Sequence, residues 1–236
     1  MLAAYESVPR SDRVIVALDC DRQTALDLAK KLQGKAKWLK VGMTLYYAEG
    51  PQIVEILKLL GFKVFLDLKF HDIPHQVQGA AASAVEAGAD MITMHAVGGV
   101  PMMEAAQNAV DDSGTDADTL AITVLTSMND ETLAQTGVSR SLTEQVKTLA
   151  LCAQDAGLSG VVASPQEASM LREILGPDAL IVTPGVRPAG AALGDQSRVA
   201  TPRQAFDAGA SHIVVGRPIT QADDPAAAFD AIAAEL

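Results

Sequence analysis

Short apolar runs rich in β-branched residues recur along the chain, and an alanine-rich amphipathic stretch follows each run. This alternation is typical of parallel strands joined by crossover helices. The predicted strands are residues 14–19, 38–43, 64–69, 91–96, 120–126, 160–164, 180–186 and 212–217. These units match a closed (β/α)8 barrel, whereas an open doubly wound sheet more often has about five or six strands. The pattern therefore predicts one α/β domain, a (β/α)8 TIM barrel, over residues 1–236.

Glycines mark the ends of several predicted helices. Gly61, Gly88, Gly157 and Gly209 each stand shortly before a predicted strand. Glycine at a helix C-terminus adopts the left-handed backbone conformation without steric penalty. We therefore interpret these glycines as helix caps rather than as parts of a binding site.

Charge and composition narrow the class of partner. The sequence has 18 Lys and Arg against 29 Asp and Glu, and its net charge of −11 repels phosphate backbones. No apolar run approaches the about 20 residues of a membrane span, and the charged N-terminal segment lacks the apolar core of a signal peptide. Cys20 and Cys152 are too few for a disulfide framework or a Cys-rich zinc site. We therefore expect a cytoplasmic protein that binds neither nucleic acid nor membrane.

Two segments are longer than a simple connection requires. Residues 127–141 follow the fifth predicted strand, and residues 187–202 follow the seventh. Both leave the carboxyl ends of strands, where the active sites of barrels are built. Connections of this length are typically lids or binding loops, which is what we predict here.

The third predicted strand carries opposite charges on one face. Side chains alternate along a strand, so Val64, Leu66 and Leu68 share one face, while Phe65, Asp67 and Lys69 share the other. Because helices cover the apolar face, Asp67 and Lys69 are predicted to point into the barrel near its C-terminal mouth. Opposite charges at this spacing can pair and offset the cost of burial.

The first two strands deliver further charges to the same mouth. The same alternation places Asp19 with Ile15 and Ala17, and Lys40 with Trp38 and Gly42. Together with Asp67 and Lys69 these residues form a predicted ring of alternating sign, in which carboxylates keep both ammonium groups protonated. The alternative is a set of solvated salt bridges on the barrel rim. Four charges at matching strand positions favour a functional site instead.

A series of short motifs runs in order along nearly the whole chain. They are ALD at 17–19, LKVGM at 39–43, DLKFHDIP at 67–74, TVLTS at 123–127, TPGVRP at 183–188, DQSR at 195–198 and VVGRPIT at 214–220. In this order the motifs resemble orotidine 5′-phosphate decarboxylase of the bacterial type. The resemblance implies conversion of orotidine 5′-monophosphate to uridine 5′-monophosphate and CO2 in de novo pyrimidine biosynthesis, without metal or cofactor.

The resemblance also implies catalytic roles for four residues. Lys69 corresponds to the lysine that stabilises the developing carbanion at C6 of the pyrimidine and then donates a proton to it. Asp67 and Asp72 would hold the Lys69 ammonium in place, and Lys40 belongs to the same charged chain. The family's counterpart of Asp72 crosses a dimer interface, so a homodimer is expected in which Asp72 completes the partner's site.

The resemblance further implies a set of contacts with a nucleotide substrate. Asp19 and Lys40 would contact the ribose hydroxyls, Arg187 and Gln196 belong to a closing loop, and either Thr126 or Ser127 would contact the pyrimidine amide. Strand alternation favours Thr126. The full set of expected substrate-binding residues is Asp19, Lys40, Asp67, Ile73, Gln76, Thr126, Ser127, Pro184, Arg187, Gln196, Gly216 and Arg217.

The end of the eighth strand indicates a phosphate site independently of the resemblance. Gly216 and Arg217 stand there, and barrels often bind phosphate with the loops after strands seven and eight. Backbone amides beside a glycine and a guanidinium fork suit a phosphate dianion.

One position departs from the family pattern. The family usually continues its DIP motif with Asn and Thr, whereas this chain has His75 and Gln76. The threonine hydroxyl that contacts ribose across the interface is thus replaced by a longer amide, which can still donate a hydrogen bond.

Two other functions are compatible with parts of the pattern. A Mg²⁺-dependent sugar-phosphate decarboxylase or aldolase of the same barrel group shares the D-x-K-x-x-D phrase, but Lys40 stands where another carboxylate would help to hold the ion. A non-catalytic phosphate-binding barrel would keep Gly216 and Arg217 but has no need of Lys69 between two aspartates.

We predict no metal site, because His71, His95 and His212 lack the spacing of metal ligands.

Overall fold

The fold is a closed barrel of parallel strands surrounded by helices. The computed structural model describes residues 4–188 and 200–236. Its strands are β1 (Val14–Ala17), β2 (Trp38–Gly42), β3 (Lys63–Phe70), β4 (Met91–His95), β5 (Asp118–Ile122), β6 (Gly160–Val162), β7 (Leu180–Thr183) and β8 (His212–Val215). Each strand pairs with its sequence neighbours, and β8 pairs with β1 to close the barrel. The predicted (β/α)8 architecture is confirmed.

Helices cover the outside of the barrel between the strands. They are α1 (Arg22–Leu32), α2 (Met43–Glu49), α3 (Gln52–Leu59), α4 (Pro74–Glu86), α5 (Val100–Ser113), α6 (Asp130–Gln135), α7 (Leu142–Asp155), α8 (Ala168–Leu175), α9 (Pro202–Asp207), α10 (Arg217–Thr220) and α11 (Pro225–Ala234). None of the helices in the described residues has the length and apolar character that crossing a bilayer requires. The four predicted cap glycines, Gly61, Gly88, Gly157 and Gly209, all have a positive φ.

The core consists of two layers, as strand alternation predicts. Val64, Leu66 and Leu68 of β3 pack in the layer between strands and helices. Phe65 lies instead in the smaller cluster inside the barrel, together with Ile15, Ala17, Trp38, Met91, Leu120, Val182 and Val214. The inner and outer faces of β3 are therefore those that the sequence predicts.

The N-terminal end of the barrel is closed by packed side chains. The rings of Trp38 and His212 meet edge to face with centroids 5.7 Å apart, and the Lys63 ammonium lies 5.1 Å from the Trp38 ring. Burial, assisted by the positive charges of Arg13, Lys63 and Lys37, lowers the pKa of His212 to about 3. His212 is therefore neutral at physiological pH, and the barrel interior opens at the opposite end.

The long segment after β5 contains a helix that the loop prediction lacks, and most of the long segment after β7 lies outside the described residues. The fifth strand ends at Ile122 rather than at residue 126, and residues 127–141 contain the short helix α6. An Asn129 and Thr132 capping box starts that helix. In the second segment, Val186 bridges to Ala200, and residues 189–199 lie outside the described residues.

Candidate active site

A cavity of about 680 Å³ opens at the C-terminal end of the barrel. Its wall contains residues from the ends of β1, β2, β3, β7 and β8 and from the chain that follows β5. Predicted site residues in this wall are Asp19, Lys40, Asp67, Lys69, Thr126, Pro184, Arg187, Gly216 and Arg217. Residues from distant parts of the sequence thus meet in one place.

Four charged side chains form a continuous chain across the cavity floor. The Lys40 Nζ lies 2.9 Å from Asp19 Oδ1 and 3.5 Å from Asp67 Oδ2. The other carboxylate oxygen of Asp67, Oδ1, lies 2.8 Å from Lys69 Nζ. The order is therefore Asp19, Lys40, Asp67 and Lys69, with alternating sign.

The inner members of this chain are buried and remain charged. The side chains of Lys40 and Asp67 are only 10% and 12% exposed. Burial by itself lowers the pKa of Lys40, but the charges of Asp67 and Asp19 outweigh it and raise that pKa above its ordinary value. Burial likewise opposes ionisation of Asp67, yet Lys40 and Lys69 lower its pKa below the ordinary value. The site is thus a preformed set of fixed charges.

Lys69 has an unusual backbone conformation. Among the described residues other than glycine, only Lys69 has a φ in the left-handed region, at 56°. Such conformations are uncommon for residues with a side chain and concentrate at functional sites. The Lys69 side chain nevertheless reaches the cavity, where it is 25% exposed.

Sequence reasoning missed two residues that support the charged chain. The Thr93 hydroxyl donates a hydrogen bond to Asp67 Oδ1 at 3.0 Å and accepts one from the Lys69 amide at 2.9 Å. A Cβ on Gly42 would lie 2.9 Å from both Asp19 Oδ1 and Lys40 Nζ, so a side chain at this position would displace the pair. Both residues lie on the inner faces of their strands, and the alternation that identified Lys40 and Asp67 could have found them.

Two arginines also line the cavity. Gly216 precedes α10, Arg217 is the first residue of that helix, and both residues line the cavity. Arg187 also lines it, and its amide donates to the Ala200 carbonyl at 3.0 Å. Two arginines therefore line the cavity together with Lys40 and Lys69, so this end of the barrel suits an anionic ligand.

Four of the predicted site residues that the structure describes do not line the cavity of the single chain. Asp72, Ile73 and Gln76 lie on an exposed surface at the start of α4, with Ile73 63% exposed. Asp72 Oδ1 accepts a hydrogen bond of 2.7 Å from the Ile73 amide. Ser127 is exposed beside the cavity-lining Thr126, and Gln196 lies outside the described residues.

Other reactive side chains near the site do not form a second centre. In the described part of the chain, no three His, Cys, Asp or Glu side chains are arranged to hold a metal ion together. The rings of His71 and His95 lie 5.6 Å apart, and burial together with the charges of His71 and Lys69 lowers the pKa of His95. Cys20 lines the cavity, but burial and the neighbouring Asp21 and Asp19 raise the pKa of its thiol to about 11. This thiol is therefore protonated at neutral pH.

Comparison with known proteins gives the family. The model of the orotidine 5′-phosphate decarboxylase / HUMPS family matches residues 12–232, which is almost the whole chain. The chain belongs to this family. The identification agrees with the resemblance predicted from the motif series.

Named relatives within the family are similar over their full length. The orotidine 5′-phosphate decarboxylase of Halorhodospira halophila is 52% identical, and the alignment covers 98% of this chain and 98% of the relative. The enzyme of the same name from Cutibacterium acnes is 51% identical over 93% of this chain and 94% of its own. The crystal structure of orotidine 5′-phosphate decarboxylase from Lactobacillus acidophilus matches with a TM-score of 0.85 and 39% identity, covering 95% of this chain and 98% of that chain.

Proposed function

We propose that this protein converts orotidine 5′-monophosphate to uridine 5′-monophosphate and CO2 in de novo pyrimidine biosynthesis. The observation that carries the proposal is the paired chain from Asp19 through Lys40 and Asp67 to Lys69 on the floor of a cavity whose wall holds Arg187 and Arg217. The full-length similarity to relatives named for this activity supports it.

The chemistry requires a positive charge at one carbon atom. When the bond between C6 and the carboxylate breaks, CO2 leaves and the electron pair stays at C6, in the plane of the ring. The π system of the pyrimidine cannot delocalise that pair. In this proposal the Lys69 ammonium stabilises the developing charge and then transfers a proton from Nζ to C6, which restores a neutral ring carbon.

Asp67 has two roles in this scheme. Its Oδ1 holds the Lys69 ammonium at 2.8 Å, which fixes the direction from which the proton is delivered. Its ionised carboxylate also lies on the cavity floor, where the carboxylate of the substrate would meet a like charge. That repulsion raises the energy of the bound substrate, and it disappears when neutral CO2 leaves.

Binding at the unreactive parts of the substrate holds the pyrimidine in this environment. The phosphate would be bound by Arg217, Arg187 and the backbone at Gly216. The ribose hydroxyls would be bound by Asp19 and Lys40. Thr126 is favoured over Ser127 at the pyrimidine amide because Thr126 lines the cavity. Such remote contacts offset the cost of placing one carboxylate beside another.

We also infer that the active form is a homodimer in which Asp72 enters the partner's site. The Asp72 side chain lies outside the cavity of its own chain, on an exposed surface. Apolar side chains are exposed nearby, with Ile73 at 63% and Val97 at 55%. An exposed apolar patch next to such a charge suits contact with a second copy of the chain.

The alternative metal-dependent activity is disfavoured by the position of one side chain. A Mg²⁺ ion at this mouth would be bound by carboxylate oxygens. The Lys40 ammonium already lies within 3.5 Å of carboxylate oxygens of both Asp19 and Asp67, so it stands where such an ion would bind.

The loss of orotidine 5′-monophosphate, followed by ultraviolet absorbance with purified protein, tests the function. We expect turnover that is unchanged when a chelator is added. Absence of turnover would contradict the proposed reaction, and a strict requirement for Mg²⁺ would favour the metal-dependent alternative.

A further inference from the structure

The pairing between β3 and β4 is interrupted at the catalytic lysine. Leu66 pairs with Ile92 and Phe70 with Met94, so Asp67, Leu68 and Lys69 lie opposite a single residue, Thr93. Extra residues of this kind form a β-bulge, which redirects a side chain and leaves backbone groups without their usual ladder partners. The left-handed φ of Lys69 belongs to this bulge.

Thr93 connects the two ends of the bulge through one hydroxyl group. Its oxygen accepts a hydrogen bond from the Lys69 amide at 2.9 Å, and its proton is donated to Asp67 Oδ1 at 3.0 Å. Asp67 Oδ1 is also the atom that holds the Lys69 ammonium. Thr93 is completely buried, so neither hydrogen bond can be replaced by solvent without rearrangement.

We propose that Thr93 is a positioning residue for the decarboxylation, and that its hydroxyl sets both the backbone of Lys69 and the orientation of the Asp67 carboxylate. The inference rests on the proposed function for its kinetic consequence. The proposed positions of the Lys69 backbone and the Asp67 carboxylate do not depend on the substrate, because both hydrogen bonds of Thr93 lie within the protein.

A comparison of Thr93→Val with Thr93→Ser separates the hydroxyl from the packing of the side chain. Valine keeps the shape but leaves the Lys69 amide and Asp67 without this partner, whereas serine keeps the hydroxyl. We expect Thr93→Val to lower kcat by about 10- to 100-fold, since small displacements of reacting groups have effects of that size. We expect KM to change by less than about threefold, because Thr93 lies behind Asp67 and does not line the cavity. Thr93→Ser should keep kcat within about threefold of the parent, because it retains both hydrogen bonds.

Three kinetic outcomes would overturn the inference. One is a Thr93→Val kcat within about threefold of the parent, another is a defect confined to KM, and the third is an equal defect in Thr93→Ser. If Thr93→Val does not fold, Thr93→Ala makes the same comparison. If neither folds while Thr93→Ser does, the hydroxyl serves stability and the positioning role is wrong.

The crystal structure of Thr93→Val tests the geometry without any substrate. We expect Lys69 to leave its left-handed φ, or the contact between Lys69 Nζ and Asp67 Oδ1 to lengthen beyond 2.8 Å. An unchanged Lys69 and Asp67 would overturn the inference even if the proposed function holds. Absence of turnover in the parent protein would instead contradict the proposed function, and the crystallographic result would still decide the role of Thr93.

Discussion

At the scale of single residues, the charged chain depends on pairing and on close packing around it. Lys40 and Asp67 remain ionised although they are buried, because each has an oppositely charged neighbour on either side. Removing one partner of such a pair leaves a buried charge without compensation, which is strongly destabilising. The absence of a side chain at Gly42 is part of this arrangement, because the Asp19–Lys40 pair fills the space where a Cβ would be.

Gly42→Ala tests that close packing. The added methyl would lie 2.9 Å from both Lys40 Nζ and Asp19 Oδ1, so at least one of these side chains must move. We expect kcat/KM to fall by about tenfold or more, because displaced charges stabilise the transition state less well. Steady-state kinetics together with thermal unfolding of the variant measure the effect.

Gly79→Ala is the matched control. A Cβ at Gly79 of α4 meets no heavy atom within 4 Å, and alanine favours a helix. We expect this variant to keep parental activity. A Gly42→Ala enzyme as active as the Gly79→Ala control would contradict the proposed packing constraint.

At the scale of elements, the two-residue period of the strands predicted most of the site. It placed Phe65 inside the barrel and Leu66 outside, and it directed Asp67 and Lys40 toward the mouth. The bulge at the end of β3 was not predictable in this way, because an alternating sequence has the same pattern in a regular strand and in a bulged one. Thr93 was therefore missed as the partner of Lys69, although its inward position follows from the alternation of β4.

The segment after β5 carries local signals for a helix. Asn129 and Thr132 form a capping box, and Asp130 and Glu131 place negative charge in the first turn of α6. These residues are typical of a helix start. The length of the connection, residues 127–141, favours a lid or binding loop instead, so helix α6 is a finding of the structure. The roles of the predicted site residues, Ser127 and Gln196 among them, remain predictions.

His212, at the closed N-terminal end of the barrel, should make the stability of the protein depend on pH. His212 of β8 has a pKa near 3 in the folded protein against an ordinary value of 6.5, so the unfolded chain binds a proton that the folded one does not. Stability is therefore fully present above pH 6.5 and falls as the pH drops toward the folded value. From pH 7 to 5 we expect His212 to account for a loss of about 2 kcal/mol, at ~1.4 kcal/mol per pKa unit.

Urea unfolding at both pH values measures this contribution. In His212→Asn the side chain cannot titrate, so the loss of unfolding free energy between pH 7 and 5 should be smaller than in the parent. Equal pH dependence in the parent and His212→Asn would contradict the prediction.

At the scale of the whole molecule, the cavity is an exception to the overall charge. The protein carries a net charge of −11, which opposes the approach of a nucleotide anion. Lys40, Lys69, Arg187 and Arg217 nevertheless line one cavity. Asp19 and Asp67 line it too, so the four cationic side chains outnumber the two anionic ones. A concave site with an excess of positive charge focuses its field and can attract an anionic ligand that the surface as a whole repels. The net charge of the whole protein is therefore compatible with a nucleotide ligand in this cavity.

The proposed dimer predicts complementation between two inactive variants. Lys69→Ala and Asp72→Ala should each be nearly inactive as homodimers. A heterodimer of the two would have one intact site, in which the Asp72→Ala chain supplies Lys69 and the Lys69→Ala chain supplies Asp72. Random exchange of equal amounts makes half of the dimers heterodimers, so about a quarter of parental activity should return.

The exchange is measured by mixing the variants and following turnover after reassociation. A mixture of Lys69→Ala with Asp67→Ala is the control. Lys69 and Asp67 belong to the cavity of the same chain. In the heterodimer one site therefore lacks Lys69 and the other lacks Asp67, so neither site is intact. Recovery in the control, or no recovery in the Asp72→Ala mixture, would contradict a site shared between chains.

The central claim is that the Lys69 ammonium stabilises the carbanion at C6 and donates a proton to it. Turnover of orotidine 5′-monophosphate by Lys69→Ala tests this claim most directly. We predict a fall in kcat of at least about a thousandfold, since both electrostatic stabilisation and the proton donor are lost. Lys63→Ala, at the opposite end of β3, should stay near the parental rate. Binding of uridine 5′-monophosphate, measured by calorimetry, should persist in Lys69→Ala if the fold is intact. A folded Lys69→Ala protein with a kcat within about tenfold of the parent would contradict the mechanism.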